Sequence, residues 1–402
     1  MRRELLIVLF TLFLVIPVFA EDTAMPPLTM PTAASNGFGG THVAYTDNVY
    51  ALLVNPAAMM RTRQKSFFNF APSVLSPQLL YDLSGAFIDV AKGDTSGLGK
   101  AADALSRREG KVVLGFELRE FPFSFAWVAD GFGLALWNRT FVNANIIGTN
   151  VQTHIFTDAM LPFGFAFKIF NLENSSMDMG IALKPFARVR TQKTDKITSL
   201  IENSSELTDG INVPLIVGGT LDLGLMYRWR GLRAGFTFND IYSRGTVVYA
   251  INGKDTNTYY IPLTMNMGLA FDQKVLFFRF TLAADWHNIR NAFEQDEYRN
   301  RNAILDFGAG FQLSLFDTVK FRIGVNEMLP SFGIGFDLGA CEIDLAYYGK
   351  EFGLEPGQLS TAAAELSIAI RPDAKKRNWP WTRRSVVGLF TGVENKSDWE
   401  NR

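Results

Sequence analysis

The chain has 402 residues, with 39 basic and 40 acidic side chains and a formal net charge of −1. This balance argues against a nucleic-acid partner, which would require a basic surface. Cys341 is the single cysteine and excludes an internal disulfide, while 35 Phe and 34 Gly are unusual for a soluble exported protein. Two classes remain: an outer-membrane barrel and a large secreted β protein.

Residues 1–20 have the order of segments that is typical of a signal peptide. Arg2 and Arg3 precede a short apolar run, and Ala20 places a small residue before Glu21. A transmembrane anchor is the weaker alternative because the apolar run is short. No cysteine follows Ala20, so we expect export without a lipid anchor.

Residues 21–63 have the regular period of neither a helix nor a strand, and the stretch 33–60, AASNGFGGTHVAYTDNVYALLVNPAAMM, is nearly free of charge. Its glycines permit positive φ values and a close approach of backbones, and its Asn side chain can satisfy backbone groups outside a sheet. We expect a compact segment shaped by Gly37, Gly39, Gly40, Asn55, Pro56 and Ala57.

From residue 64 onward, apolar and polar side chains alternate with the period of a strand. Phe278, Phe280 and Leu282, for example, oppose Arg279 and Thr281. The alternation often persists for about ten residues, the length needed to cross a bilayer at a tilt, and aromatic residues recur at strand ends. We count about fourteen strands, an even number as bacterial barrels require. The predicted spans are 65–75, 111–129, 131–145, 149–170, 177–192, 216–230, 232–245, 256–273, 276–289, 301–316, 318–327, 331–338, 340–350 and 360–371.

The connections between these strands alternate in length, which predicts the orientation of the barrel. Turns such as Asp130-Gly131 and Arg230-Gly231 are tight, whereas most of the intervening loops are long. Short turns face the periplasm and long loops face outward, so both termini are predicted to be periplasmic. The long loops are predicted at 76–110, 193–215, 246–255, 290–300 and 351–359.

The loop 76–110 carries apolar residues at roughly helical spacing. It can form an outer amphipathic lid that captures a ligand, or a helix that packs over the barrel mouth. The residues of the apolar stripe are Leu80, Leu83, Phe87, Ile88 and Val90.

The second predicted strand changes phase along its length. Residues up to Leu118 and residues from Phe121 hold apolar side chains at opposite parity. We predict one inserted residue near Arg119 and Glu120, where Pro122 also removes a backbone donor. This kink is either an opening in the wall or a purely structural bulge.

Four basic residues on polar faces of strands could bind a carboxylate headgroup: Arg228, Arg279, Lys320 and Arg322. The alternative is a network of charges in the lumen that pins the N-terminal segment, with Asp222, Asp285, Asp306, Glu342, Asp344 and Glu365 as partners.

The three histidines, His42, His154 and His287, show no metal-ligand spacing, and no motif marks a nucleophile. We therefore predict no enzymatic activity, no metal site and no cofactor.

The stretch THVAYTDNVYALLVNPAAM, between a glycine-rich bend and the first strand, resembles the N-terminal hatch of the FadL-type family of outer-membrane long-chain fatty acid transporters, which includes related PorV-like barrels. FGIGFDLGACEIDLAYYGKEFG, at 332–353, looks like the paired last strands of that family. The resemblance implies a hatch that plugs the barrel, an apolar ligand held in an internal pocket, and release through a gap in the wall. It also implies insertion into the outer-membrane lipid bilayer by the barrel-assembly machinery.

The fold expected is thus an all-β transmembrane antiparallel barrel of about fourteen strands with its lumen plugged by a hatch. The chain divides into a signal peptide (1–20), a hatch (21–63), a barrel (64–371) and a C-terminal tail (372–402). Three functions other than uptake of hydrophobic compounds stay open: a scaffold for protein secretion or surface attachment, a porin and an adhesin.

The tail departs from the pattern of that family, because the final strand ends at Ile370 instead of an aromatic residue. Basic residues flank the sequence NWPW at 378–381. The tail could dock a periplasmic partner or lie on a membrane surface. The alternative is a disordered extension, which Pro372 and Pro380 favour.

Overall fold

The computed structural model describes residues 23–371, apart from 47, 63, 67, 93, 95, 109–110, 122–123, 197–212, 252–257 and 294–300. The predicted signal peptide and the predicted tail both lie outside the described residues.

Fourteen antiparallel strands form one closed ring, as the alternation predicted. Each strand pairs with the next along the chain, and the ring closes where the last strand pairs with the first, from Ala363 opposite Leu75 to Ile370 opposite Phe68. Five strands consist of two segments. The strands are β1 (Gln64–Ser66 and Phe68–Leu75), β2 (Lys111–Arg119 and Phe125–Ala129), β3 (Phe132–Ile147), β4 (Asn150–Met160 and Phe163–Asn171), β5 (Ser175–Lys196), β6 (Val213–Trp229), β7 (Leu232–Asn239 and Arg244–Ile251), β8 (Thr258–Tyr260 and Thr264–Val275), β9 (Phe278–Trp286), β10 (Phe307–Leu315), β11 (Val319–Asn326), β12 (Leu329–Asp337), β13 (Cys341–Glu351) and β14 (Ser360–Ile370).

The strand boundaries differ most from the prediction at two places. The strand predicted at 301–316 begins only at Phe307, because a 3₁₀ helix occupies Ala303–Asp306. The Asn302 side chain accepts a hydrogen bond from the Ile304 amide and starts this helix, and Leu305 turns into the core. The strand predicted at 232–245 runs on to Ile251, into a region predicted as a loop.

The barrel has its apolar side chains on the outside and its charged side chains on the inside, the reverse of a soluble protein. Large apolar side chains on the outside are about half exposed, as at Leu269 (56%), Ile323 (53%) and Phe332 (54%). Charged side chains inside, such as Lys184 and Arg188, are fully buried. This distribution suits a barrel whose outer surface contacts lipid.

The connection between β1 and β2 is helical, with α3 at Pro77–Ala91 and α4 at Ser96–Ser106; the shorter α1 (Ala33–Gly37) and α2 (Ala51–Val54) lie in the N-terminal segment. Of the apolar stripe predicted on α3, Leu80 and Ile88 are exposed and Leu83 is half-buried, whereas Leu79 and Ala86, seven positions apart on one helix face, are buried. The side chains of Phe87 and Val90 lie outside the described ones. Within the described residues, no helix has the length and apolar character required to cross a membrane.

The N-terminal segment (residues 23–62) contacts strands on all sides of the ring. Thr23–Ala24 pairs in parallel with Tyr259–Tyr260 of β8. Helix α1 packs on β11–β14, and a 3₁₀ helix, Pro56–Arg61, packs on β4–β6. Since these strands lie on opposite sides, the segment lies within the ring. Its apolar side chains form a core with inward side chains of the wall, including Trp137 and Met160.

Candidate functional site

Asn55 is fully buried where α2 ends and the 3₁₀ helix begins. Its side-chain nitrogen donates to the carbonyls of Val43 (3.0 Å) and Leu225 (3.2 Å), and its oxygen accepts from the Ala57 amide (3.2 Å). Pro56 follows as the first residue of the helix, where a missing amide costs nothing. One amide side chain therefore fixes the N-terminal segment both to itself and to β6.

The glycines predicted to shape the segment lie against the backbone of the wall. A Cβ at Gly37 would lie 2.7 Å from the Cα of Gly333 on β12, and a Cβ at Gly39 would overlap the carbonyl of Ala309 on β10. Gly39 and Gly40 also have φ values of +72° and +74°. Side chains at these positions would push the segment away from β10–β12.

Two buried arginines of the wall hold the first residues of the segment, and neither was predicted from the sequence. Arg188 pairs with Asp158 (2.5 Å) and donates to the Pro26 carbonyl (2.6 Å). Arg139 pairs with the same carboxylate (3.1 Å) and donates to the Thr29 carbonyl (3.1 Å). The carbonyl groups that they bind in the segment lie more than a hundred residues away in the chain, so no local pattern could reveal these contacts.

The four predicted headgroup cations all face the lumen side of the wall, and each has a carboxylate partner. The partners are Asp178 for Arg228, Asp317 for Arg279 (3.0 Å), Glu342 for Lys320 (2.8 Å) and Asp344 for Arg322 (2.6 Å). Lys184, which the sequence reading did not single out, lies between Asp222 (2.8 Å) and Asp240 (2.9 Å). All of these pairs lie within the barrel, and the choice between a headgroup site and a charge network that pins the N-terminal segment stays a prediction.

The kink in β2 is larger than the predicted single insertion. Arg119 pairs with Arg139 of β3 and Phe125 pairs with Leu136, so the five residues 120–124 oppose the two residues 137–138. Glu120 has a φ of +65° and is buried. The predicted size was wrong because a change of parity reveals an odd insertion but cannot distinguish one residue from three. Pro122 lies outside the described residues.

The kink interrupts the ladder between β1 and β2. Within the described residues, ladder pairs join these strands at Gln64–Ser66 and again from Ala71 onward. Between these positions the Asn69 amide donates to the Ser124 hydroxyl (3.0 Å). A side-chain hydrogen bond thus replaces backbone pairing at this point of the wall, which we call the β1–β2 gap.

Tyr50 of the N-terminal segment reaches this gap. Its hydroxyl donates to the Glu120 carboxylate (2.5 Å) and accepts from the Asn69 side-chain nitrogen. Its ring stacks on Trp137, with centroids 5.7 Å apart and planes within 3°. Burial raises the pKa of Tyr50, as does the charge of Glu120, so the hydroxyl keeps its proton. The residue types alone could not predict this contact between residues 70 positions apart.

A small cleft lies along the N-terminal segment, with a volume of about 50 Å³. Its lining combines aromatic and aliphatic side chains with hydroxyl, amide and imidazole groups, and none of the four predicted headgroup cations is among the described lining residues. The lining residues include Met30, Phe38, His42, Tyr45, Tyr50 and Val54.

His42 and His287 meet beside Asp285, with ring centroids 4.8 Å apart and planes inclined by 19°. Burial, followed by the neighbouring His287, lowers the pKa of His42 to about 3, so its imidazole is neutral near pH 7. The sequence spacing gave no sign of this cluster, because His42 and Asp285 are 243 residues apart.

No family model and no curated protein matches the chain. Among solved structures, it is similar to the toluene transporter TodX of Pseudomonas putida, with a TM-score of 0.47 and 11% identity over 86% of this chain and 99% of that one. For the toluene transporter TbuX of Ralstonia pickettii, the TM-score is 0.43 and the identity is 12%, over 88% of this chain and 99% of that one. For a FadL homologue of Pseudomonas aeruginosa, the TM-score is 0.44 and the identity is 10%, over 87% of this chain and 99% of that one.

The family suggested by the sequence motifs is thus represented among the structurally similar proteins. Because all three TM-scores lie below 0.5, the description of the fold rests on the strand pairing of this chain itself.

Proposed function

We propose that this protein is an outer-membrane transporter that takes up hydrophobic compounds, long-chain fatty acids among them, and releases them sideways through the β1–β2 gap. One observation carries the proposal: Tyr50 both lines the cleft and bridges the gap. A compound in the cleft would therefore lie next to a contact that closes the wall. The apolar outer face and the predicted signal peptide support the location in the outer membrane.

Lateral release suits an apolar cargo on energetic grounds. Each buried methylene gains roughly 0.8 kcal/mol over one exposed to water, so a route from an apolar cleft into the bilayer avoids a large penalty. In the β1–β2 gap, few backbone hydrogen bonds have to break before the wall can open, because side chains make the contacts there.

In this proposal the N-terminal segment is a hatch that closes the lumen. Asn55, the Gly37–Gly333 approach and the two arginines fix it to the wall at separate points. Release through the wall does not require it to leave the barrel.

The test is to lock the β1–β2 gap covalently. Asn69→Cys and Ser124→Cys are combined in a Cys341→Ser background, because the backbone nitrogen of Asn69 donates to the Ser124 hydroxyl (3.0 Å), which places the two residues next to each other across the gap. Uptake of radiolabelled oleate is measured in bacterial cells that lack their own fatty acid transporter. We expect oxidation to abolish uptake and reduction to restore it, with cross-linking checked by gel mobility.

The matched control locks an intact part of the wall. Thr140 and Thr157 are ladder partners on β3 and β4, with hydroxyl oxygens 3.1 Å apart. The pair Thr140→Cys and Thr157→Cys should leave uptake unchanged when oxidised. Undiminished uptake with the gap locked would show that release occurs elsewhere.

The headgroup role of Arg228, Arg279, Lys320 and Arg322 stays a prediction with a distinct test. If Lys320 binds a carboxylate, Lys320→Gln should lower uptake of oleate but not of uncharged toluene. If Lys320 serves only the pair with Glu342 (2.8 Å), both compounds should be affected equally.

A further inference from the structure

We propose that His42, Asp285 and His287 form a binding site for a divalent transition-metal ion that ties the N-terminal segment to the barrel wall. One ligand comes from the segment, one from β9 and one from the residue after β9. Each offers one ligand atom, and these atoms lie within 4.8 Å of one another. The inference goes beyond the transport proposal and does not depend on it.

Only one of the two oxygens of the Asp285 carboxylate has hydrogen-bond partners among the described residues. Its Oδ2 accepts the backbone amides of His42 (2.5 Å) and Val43 (2.8 Å). Its Oδ1 is buried and has no hydrogen-bond partner among the described residues. Gly268 faces Asp285 across β8–β9, and a Cβ there would overlap Oδ1. The fold thus leaves space beside a free carboxylate oxygen.

Asp285 also lacks the cationic partner that other buried acids of this wall have. Asp158 has Arg188, Asp178 has Arg228, and Asp344 has Arg322. No Lys or Arg within the described part of the chain forms a salt bridge with Asp285. Buried charges in proteins are paired or coordinate a metal, and an ion at this cluster would supply the missing positive charge.

Nearby charges do not oppose a cation at this cluster. Arg301 acts on His287 electrostatically, but two acids neutralise it, Asp306 (2.6 Å) and Glu327 (3.0 Å). The cluster therefore carries no net positive charge before a cation binds.

Both imidazoles are oriented by one backbone group. His42 Nδ1 lies 2.7 Å from the Gly40 carbonyl and donates to it, which leaves Nε2 with its lone pair. The Gly40 backbone also lies close to His287 and acts on its imidazole. A backbone carbonyl that fixes one ring nitrogen is the usual outer partner of a metal-binding histidine. Since the two rings are nearly parallel, a shared ion requires one ring to rotate and the ligand atoms to approach it to about 2.0–2.2 Å.

The ligand set selects the kind of metal. Two imidazole nitrogens and one carboxylate oxygen suit Zn²⁺, Co²⁺ or Ni²⁺, whereas Ca²⁺ and Mg²⁺ prefer oxygen ligands. Three protein ligands leave a coordination position open. Because His42 also lines the cleft, that position would be accessible to a small oxygen-containing compound in the cleft.

The test uses full-length protein purified in detergent with a tag free of histidine and treated with a chelator. Co²⁺ binding is followed by visible absorption, and Zn²⁺ retained after dialysis is measured by mass spectrometry. We expect about one tightly bound ion per chain, as a site with three protein ligands should give. Asp285→Asn keeps an oxygen for the two backbone amides but removes the charge, so it should lose the ion while keeping the contact with the segment. His287→Gln should lose it as well.

His154 provides the matched control, because it is the third histidine of the chain and lies on β4, opposite Gln192 of β5. His154→Gln should retain as much bound ion per chain as the parent protein. Heat-modifiable gel mobility should be the same for all three variants, showing that each barrel is folded. No retained ion in the parent protein, equal retention in Asp285→Asn, or loss in His154→Gln would overturn the proposal.

Discussion

The wall of this barrel is built in two ways, and β9–β12 differ from β1–β2 in what holds neighbouring strands together. From β9 to β12 the ladders between neighbouring strands run without a break. Between β1 and β2 the ladder stops and resumes, and Asn69, Ser124, Glu120 and Tyr50 make the contacts. A continuous ladder opens only if many backbone bonds break together, whereas a short set of side-chain contacts can open by itself.

The N-terminal segment contributes to the two regions differently. Against β10–β12 it offers backbone, at Gly37 and Gly39, with no side chain between. Against the β1–β2 gap it offers a long side chain, Tyr50. Close backbone packing fixes the segment where the wall is complete, and a tyrosine with rotatable bonds closes the wall where it is incomplete.

The largest effect is expected from removing the segment altogether. Deletion of residues 21–60, with the signal peptide retained, should leave a folded barrel, because the strands form a closed ring without them. Planar-bilayer recordings should then show ion conductance that the full protein lacks. A deletion variant as closed as the parent would mean that the segment does not plug the lumen.

Asn55→Ala should have the next largest effect, at the part of the segment that faces the intact wall. It leaves two buried carbonyls and one amide without their partner, and each such loss costs about 1–3 kcal/mol. Protease accessibility of the segment should increase in detergent. Asn55→Asp keeps the acceptor for Ala57 but places a carboxylate oxygen against the two carbonyls, so it should loosen the segment at least as much. A segment as well protected in Asn55→Asp as in the parent protein would contradict the role of the donated bonds.

Tyr50→Phe should act at the β1–β2 gap with less effect on the rest of the barrel. The change leaves the Glu120 carboxylate and the Asn69 side chain without their hydroxyl partner, at a cost of about 1–3 kcal/mol. Hydrogen exchange should increase in peptides covering 117–121 and not in β9–β12.

Tyr45→Phe is the matched control, since the Tyr45 hydroxyl accepts from Gln312 of β10 (2.7 Å) in the complete wall. It should leave the exchange of 117–121 unchanged. If both variants accelerated exchange equally, the gap would be no weaker than the complete wall.

The alternation of side chains predicted the number of strands and their faces because it reports a local geometry. The outward phase of Phe278, Phe280 and Leu282 follows from the pleat of one strand alone. The same reasoning located the kink at Arg119–Glu120 but not its size, because parity distinguishes only odd from even insertions.

The site could be predicted only where a residue acts on its own neighbourhood. Asn55 was expected to bind backbone groups because an amide side chain before Pro56 has few other uses, yet its partner Leu225 is 170 residues away. Tyr50 with Glu120 and His42 with Asp285 are likewise joined only by the fold. The N-terminal segment has no regular period, so the sequence gives no register from which to derive these contacts.

The smallest effect is expected outside the wall, in the helical connection of β1 to β2. The Asp94 carboxylate accepts hydrogen bonds from Ser96 at the start of α4, and these bonds lower the pKa of Asp94. A carboxylate with a lowered pKa stabilises the fold at pH values above its ordinary pKa. This contribution is lost as the pH falls through the lowered pKa. Asp94→Ala should therefore accelerate trypsin cleavage after Lys92 or Lys100 at neutral pH while leaving the thermal midpoint of the barrel unchanged. A shifted midpoint would mean that these helices stabilise the β1–β2 part of the wall, and the contrast with β9–β12 would then include them.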